Sequence, residues 1–211
     1  MKHFHNISTL IFDFGGVLIN LDLAQCIQNF KQLGLENFEQ YLSNFGQKGF
    51  FLQFENGKIG VDEFRTHIRN LCPKPLSDAQ IDKAWCSFLC DIPNEKLEML
   101  LELKKKFKVL MLSNTNPLHI DVSAAGEFAR VGKTKDDFFN KCYLSYEMGM
   151  VKPNTDIFEA ILADAGVQAD ECLFLDDGPK NIETAQKLGI QSYLVEANED
   201  LRFLLNKETW K

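Results

Sequence analysis

The chain has 211 residues, 45% of them hydrophobic, and a formal net charge of −7. That length and apolar content allow a well-buried core with a sizeable insertion, while the acidic balance argues against a nucleic-acid or anionic-membrane surface, both of which need clustered Lys and Arg. No apolar run approaches the roughly 18 residues of a membrane span, and Asp13 interrupts the only N-terminal candidate for a signal-peptide core, so a cytoplasmic protein is expected.

From the N-terminus, Leu10-Ile11-Phe12 reads as a buried strand ending in Asp13, with Gly15 and Gly16 just behind it. From about Asp22 to Cys90 the apolar spacing is helical, phenylalanines are frequent and strand character is weak. An inserted all-helical unit over residues 21–90 is therefore predicted, leaving 1–20 and 91–211 for an α/β core. The stripe Phe50, Phe51, Phe54, with Phe64 beyond it, reads either as pocket lining or as the core of the insertion, and the second is the commoner fate of aromatics at helical spacing. Gln53, Glu55, Arg65, His67 and Arg69 are the polar candidates in that region for substrate contacts. Cys86 and Cys90 would share a face if their segment is helical. The six cysteines form no Cys-x-x-Cys pair, and His3, His5, His67 and His119 lack metal-ligand spacing, so packing or surface roles are expected for all of them.

After Pro93 helical and strand-like segments alternate, the pattern of a parallel sheet wrapped by helices. Asn94 is placed to cap a helix through Lys104, whose Lys104-Lys105-Lys106 cluster reads as a solvated helix end; the strand Phe107 to Leu112 follows and ends in Ser113-Asn114. Residues 126–140 are polar and poorly periodic, and no role is assigned to them. Tyr143-Leu144 forms a third run shortly before Lys152-Pro153. Asn154 is placed to cap a helix with Ile157, Ile161, Leu162 and Ala165 on one face, stopped by Gly166. Leu173-Phe174-Leu175 ends in Asp176-Asp177, and Pro179 opens a helix that Gly189 ends. A strand from Ser192 to Val195 and a short amphipathic helix with Leu201, Leu204 and Leu205 close the chain.

Each polar residue after these runs is an ordinary turn former when taken alone. In this order, at the carboxyl ends of neighbouring parallel strands where α/β sheets bind ligands, they bring a nucleophile, an anion holder, a fixed cation and a metal site to one edge. Phe12-Asp13-Phe14-Gly15-Gly16-Val17-Leu18, Leu112-Ser113-Asn114-Thr115, Lys152-Pro153 and Phe174-Leu175-Asp176-Asp177-Gly178-Pro179-Lys180-Asn181 resemble the four motifs of the haloacid dehalogenase-like hydrolase superfamily. More narrowly, Ser113-Asn114-Thr115-Asn116, Met148-Gly149-Met150-Val151-Lys152-Pro153 and the Asp-Asp-x-x-x-Asn ending are similar to the branch of sugar-1-phosphate phosphatases and the N-terminal phosphatase domain of soluble epoxide hydrolase. The resemblance covers nearly the whole chain. It implies a Rossmann-like parallel sheet flanked by helices, with residues 21–90 as a mobile helical cap of the C1 type that closes over the active site and selects a small phosphorylated substrate, sugar phosphates among them.

Hydrolysis through an aspartyl-phosphate needs an ionised carboxylate in line with phosphorus, and Asp13 is assigned that part. Mg²⁺ prefers oxygen ligands, which one Asp13 oxygen, the Gly15 carbonyl and Asp177 provide. The resemblance adds Asp176, reaching the metal through water, and Asn181, holding the loop in place. Lys152 would lower the carboxylate's pKa and stabilise charge in the transition state, its backbone biased toward an extended form by Pro153. Ser113 and the amides of Asn114 and Thr115 are candidate donors to phosphate, and Gly15 and Gly16 would allow close backbone approach.

The chain departs from the family at Gly15, where most of these phosphatases carry a second Asp that protonates the leaving group. General acid-base help is worth about 10² to 10⁴ in rate. A cap residue or water could give the proton, the leaving group could depart unaided, or the chain could be a phosphate-binding regulatory protein without turnover. Dehalogenation of 2-haloacids, a second alternative, uses the same nucleophile but has no need of the Asp176-Asp177 pair.

Overall fold

The computed structural model describes residues 3–36, 38–41 and 48–210; residues 37 and 42–47 of the predicted insertion lie outside the described residues. Five short runs form one parallel sheet: β1 (Thr9–Phe12), β2 (Lys108–Ser113), β3 (Lys141–Leu144), β4 (Cys172–Asp176) and β5 (Gln191–Leu194), in the order β3-β2-β1-β4-β5. The sheet is buried on both faces, which is why its central strands read as continuous apolar runs and not as alternating ones. Leu10, Phe12, Val109, Met111, Leu173 and Leu175 enter one cluster, and Ile11, Leu110, Leu112, Cys172 and Phe174 enter the other. Phe12 pairs with Met111 on one side and Leu175 on the other, so the carboxyl ends of the three central strands finish level.

Within residues 21–90 the described residues form four α-helices: α1 (Leu23–Gln32), α2 (Phe50–Glu55), α3 (Val61–Leu71) and α4 (Asp78–Cys86). They enclose a separate aromatic cluster with Phe30, Phe38, Phe51, Phe54, Phe64 and Trp85 fully buried. Three of the four stripe phenylalanines are thus core, and Phe50 is half-buried and stacked on His67, which removes the pocket-lining reading of the stripe. α4 stops at Cys86, so Cys90 does not share its face; Cys90 instead donates its amide to the Asn20 carbonyl at 2.8 Å where the chain leaves the insertion. At this crossing Leu21 bridges to Leu89, Asp22 N–H donates to Phe88 at 2.9 Å, and Asn20 N–H donates to Asp91 at 2.9 Å.

The remaining helices wrap the sheet: α5 (Asn94–Lys104), α6 (Ala125–Arg130), α7 (Lys135–Phe138), α8 (Ser145–Met148), α9 (Thr155–Ala165) and α10 (Pro179–Lys187). A π-helical turn, His119–Ala124, runs directly into α6. The 126–140 segment holds most of α6 together with α7. Pro93, not Asn94, is the N-cap of α5, because the Asn94 amide oxygen accepts from Arg130 at 2.7 Å. Asn154 does occupy the N-cap position of α9, but its side chain makes no capping bond. Lys104 is likewise no simple solvated helix end: its ammonium donates to the carbonyls of Asp136, Asp137 and Phe139 at 2.7, 3.1 and 2.9 Å and so secures α7 to α5. The final amphipathic stretch is a 3-10 turn, Leu201–Leu205, against α5. No helix among the described residues is long and apolar enough to cross a membrane.

Candidate active site

Asp13 continues the ladder beyond β1 by donating its amide to the Leu175 carbonyl at 2.8 Å, which fixes its side chain at the sheet edge. Its Oδ1 accepts from Phe14 N–H at 2.7 Å and from the Lys152 ammonium at 2.8 Å. Lys152 also donates to Asp176 Oδ2 at 2.6 Å and to the Leu112 carbonyl at 3.1 Å, so three acceptors meet its three protons. Its backbone is clamped by one side chain, since Asn114 Oδ1 accepts from Lys152 N–H and Asn114 Nδ2 donates to the Lys152 carbonyl, each at 2.9 Å. Asp176 is fully buried; its Oδ1 accepts from Gly178 N–H at 2.6 Å and from Asn181 Nδ2 at 2.8 Å. The Asn114 side chain is thus committed to holding the lysine, and the phosphate donor expected at this residue is its main-chain amide. The Thr115 amide is committed too, donating to Ser145 Oγ at 2.9 Å.

Gly16 has φ +74, and a Cβ built on it would stand 2.3 Å from Asp177 Oδ2. The glycine makes room for that carboxylate, a tighter requirement than backbone approach to a phosphate. Gly178 is equally constrained, since a Cβ there would lie 2.7 Å from Asn181 Nδ2 and 2.9 Å from Asp176 Oδ1.

Carboxylate oxygens of Asp13, Asp176 and Asp177 lie within 4.8 Å of one another. Burial pushes the Asp13 carboxyl well above the ordinary carboxylate range; Lys152 opposes that shift, and Asp176 and Asp177 add to it. Asp177 is pushed up to about 6, chiefly by burial and then by Asp176. Burial works against the charge of Lys152, but Asp13 and Asp176 more than offset it and hold its pKa above the usual lysine value. One buried ammonium therefore faces three carboxyl groups. An all-oxygen cluster with this charge imbalance fits a hard divalent cation such as Mg²⁺.

The carboxyl edge opens into a cavity of about 70 Å³. Asp13, Gly15, Ser113, Asn114, Lys152, Asp177 and Asn181 line its sheet side. Leu21, Glu55, Phe88 and Leu89 of residues 21–90 line it too, as does His119. Of the five polar residues singled out in the insertion, Glu55 alone lines this cavity. Arg65 is bound to Asp82 at 2.7 and 3.0 Å and to Asp62 at 3.0 Å, Arg69 donates to the Leu76 carbonyl and to Asp78, and His67 lies against Phe50. Leu21, Phe88, Leu89 and His119 were missed, because their place depends on the crossing of two distant segments. His119 is fully enclosed, stacked on Trp85, with ring nitrogens bonded to Asn116 at 3.1 Å and to the Trp85 carbonyl at 3.2 Å; burial pushes its pKa down to about 4. Its position six residues after Ser113 was the one available signal.

A family model described as haloacid dehalogenase-like hydrolase matches residues 7–189. D-ribitol-5-phosphate phosphatase of Bacteroides thetaiotaomicron is 37% identical over 196 residues, spanning 93% of this chain and 95% of its own. A HAD family enzyme from the same organism, solved with magnesium and inorganic phosphate, superposes with a TM-score of 0.90 at 46% identity, covering 95% of this chain and all of that one. A HAD-like hydrolase structure from Porphyromonas gingivalis gives a TM-score of 0.88 at 38% identity, covering 96% and 99%. With its sheet-edge constellation and these likenesses together, the chain belongs to the haloacid dehalogenase-like hydrolase family.

Proposed function

We infer that this hydrolase is a magnesium-dependent phosphatase of small phosphorylated metabolites, acting through an aspartyl-phosphate on Asp13. The observation that carries the reading is the buried Lys152 ammonium shared between Asp13 and Asp176, beside Asp177 and in an open cavity. The relative that hydrolyses D-ribitol 5-phosphate aligns over nearly both whole chains, which favours a polyol or sugar monophosphate as substrate. Six free thiols fit the reducing cytoplasm, where such metabolites are handled. In this reading residues 21–90 are a cap over a core of 1–20 and 91–211, joined at the paired segments around Leu21 and Leu89.

Asp13 attacks phosphorus, the bond to the substrate oxygen breaks, and water then releases phosphate from Asp13. Lys152 holds Asp13 in place and offsets negative charge on the transferring group. Asp176 holds Lys152, while Asn181 and the Gly178 amide hold Asp176. Mg²⁺, held by Asp13 and Asp177 with Asp176 behind and the Gly15 carbonyl adjoining, would add cationic stabilisation of the phosphoryl oxygens. Ser113 donates to those oxygens from the end of β2.

The test is phosphate release from D-ribitol 5-phosphate, sugar 1- and 6-phosphates and p-nitrophenyl phosphate, with and without Mg²⁺, in the wild type and Asp13→Asn. Magnesium-dependent release that falls by on the order of 10⁵-fold in the variant is expected. Intact binding of phosphate with no release from any ester would move the protein to a non-catalytic, ligand-binding role.

A further inference from the structure

The reacting phosphoryl group has its place at the carboxyl edge of the sheet, where Asp13 attacks it, Lys152 opposes its charge and Ser113 donates to its oxygens. The rest of the substrate then lies along the remaining lining of the cavity. Among the described residues this comes from Leu21, Glu55, Phe88 and Leu89 of the insertion and from His119. Leu21, Phe88 and Leu89 are apolar, and the His119 ring nitrogens are already bonded to Asn116 and to the Trp85 carbonyl.

The two leucines form a built pair. Leu21 bridges antiparallel to Leu89, with the Asp22 amide donating to the Phe88 carbonyl at 2.9 Å and the Cys90 amide donating to the Asn20 carbonyl at 2.8 Å. Those bonds flank the pair and do not join it, which is the non-hydrogen-bonded arrangement in which opposed side chains stand closest. Both leucines pack against the sheet cluster and the insertion's aromatic cluster at once, and both line the cavity. Leu21 also reaches the loop that follows the nucleophile: a Cβ built on Gly15 would touch both of its methyl carbons at 3.5 Å.

Further contacts keep this apolar collar at a set distance from the sheet edge. Ser145 Oγ donates to the Glu55 carbonyl at 2.5 Å and accepts from the Thr115 amide at 2.9 Å. Gly57 has φ +70, and a Cβ there would run into the Tyr146 carbonyl oxygen, so backbone meets backbone at this point. Trp85 Nε1 donates to Asn116 Oδ1 at 3.2 Å. The cavity so enclosed measures about 70 Å³, whereas a cavity that holds one benzene ring measures roughly 150 Å³. It has room for a phosphoryl group and a narrow chain, and not for a ring beside them.

We propose that Leu21 and Leu89 are specificity-determining residues that restrict this enzyme to primary phosphate esters, in which a methylene group follows the ester oxygen. The proposal rests on the phosphatase reading above and narrows it. A methylene group seats against leucine methyls without losing a hydrogen bond. A secondary ester brings a second carbon to the same place, where the leucines already stand. A sugar 1-phosphate brings a ring oxygen there, and that oxygen would be buried against Leu21 and Leu89 without a donor. Terminal polyol phosphates and sugar 5- or 6-phosphates are therefore accepted, and internal polyol phosphates and sugar 1-phosphates are refused.

The experiment uses two pairs of isomers that differ only in whether the carbon next to the ester oxygen is branched: glycerol 1-phosphate against glycerol 2-phosphate, and D-ribitol 5-phosphate against ribitol 3-phosphate. Wild type, Leu21→Ala and Leu89→Ala are compared by kcat/KM. In the wild type the primary isomer of each pair should be favoured by about 10- to 200-fold, the range that fit in an apolar pocket supplies. Each alanine variant should bring that ratio down by on the order of 10-fold, chiefly through faster hydrolysis of the secondary isomer. Because each ratio compares two substrates on one preparation, a loss of folded protein in a variant cancels from it. Equal kcat/KM within both pairs in the wild type would overturn the proposal, as would a ratio that neither substitution changes. Release of phosphate from none of the four esters would overturn the phosphatase reading itself.

Discussion

The sheet edge and the helical insertion are built on opposite principles. At the edge, position is set by backbone ladders and charge: Asp13, Lys152 and Asp176 are buried together, and each is held by at least two hydrogen bonds or ion pairs. The insertion is held by aromatic area, with Phe51 and Phe64 at 5.4 Å between centroids, Phe54 and Phe64 at 4.4 Å, and Trp85 against both Phe51 and Phe64. Its arginines sit outside this cluster in ion pairs with its own aspartates. A charge network fixes a few atoms tightly, which chemistry needs. An aromatic cluster fixes a body and leaves its outer face free to vary.

Removing the cation from the edge should have the largest effect. Lys152→Met leaves Asp13 and Asp176 buried with no ammonium between them, and breaking such a pair costs about 3–5 kcal/mol. Phosphate release should fall by on the order of 10³-fold or more with it. Denaturant midpoints and initial rates measure the two losses. An active, equally stable variant would show that the edge is not held by charge.

Phe64→Ala tests the other principle. A fully buried Phe replaced by Ala costs about 3–5 kcal/mol, and all of this cost falls inside the insertion. Hydrogen exchange should speed up over α1–α4 while β1, β2 and β4 keep their protection. Uniform loss of protection across both regions would make the molecule one cooperative unit and dissolve the contrast.

The same contrast governed what could be read from sequence. Strands buried on both faces announce themselves as apolar runs, and β1, β2 and β4 each end within a residue of the polar group that matters. The helical character of the insertion was equally open, because Phe51 and Phe54 in α2, and Phe64 and Ile68 in α3, each obey its period. Leu21 against Gly15, Glu55 on Ser145 and His119 under Trp85 were not, since each joins residues from 6 to 90 positions apart without any local pattern. The segment 126–140 was aperiodic because it holds only the end of the six-residue α6 and the four-residue α7, each too short to show a helical period. Asn94 failed for a similar reason, its side chain drawn away by Arg130.

His119 lies where the two regions meet and gives the comparison a pH dependence. With its pKa pushed down to about 4 in the folded protein, against an ordinary 6.5, the unfolded chain binds a proton more readily between these values. Stability is then complete above pH 6.5 and is lost as pH falls toward 4, by about 3 kcal/mol from this residue. Melting curves from pH 8 to 4 should show the decline, and His119→Gln should flatten it. An unchanged slope would assign the acid sensitivity to the carboxylates of the edge.

The smallest expected effect is at a hydroxyl that joins the regions, Ser145. Ser145→Ala removes the donor to the Glu55 carbonyl and the acceptor for the Thr115 amide, leaving two buried main-chain groups without that partner. A buried polar group left unsatisfied costs about 1–3 kcal/mol, and water entering beside the missing hydroxyl would reduce this toward the lower figure. Because one lost bond spans the regions, the other lies in the core loop after β2, and neither belongs to an apolar cluster, the melting temperature should fall only slightly while exchange of the Thr115 and Gly57 amides rises selectively. A loss as large as that of Phe64→Ala would mean that the seating of the insertion, and not its aromatic cluster, sets its stability.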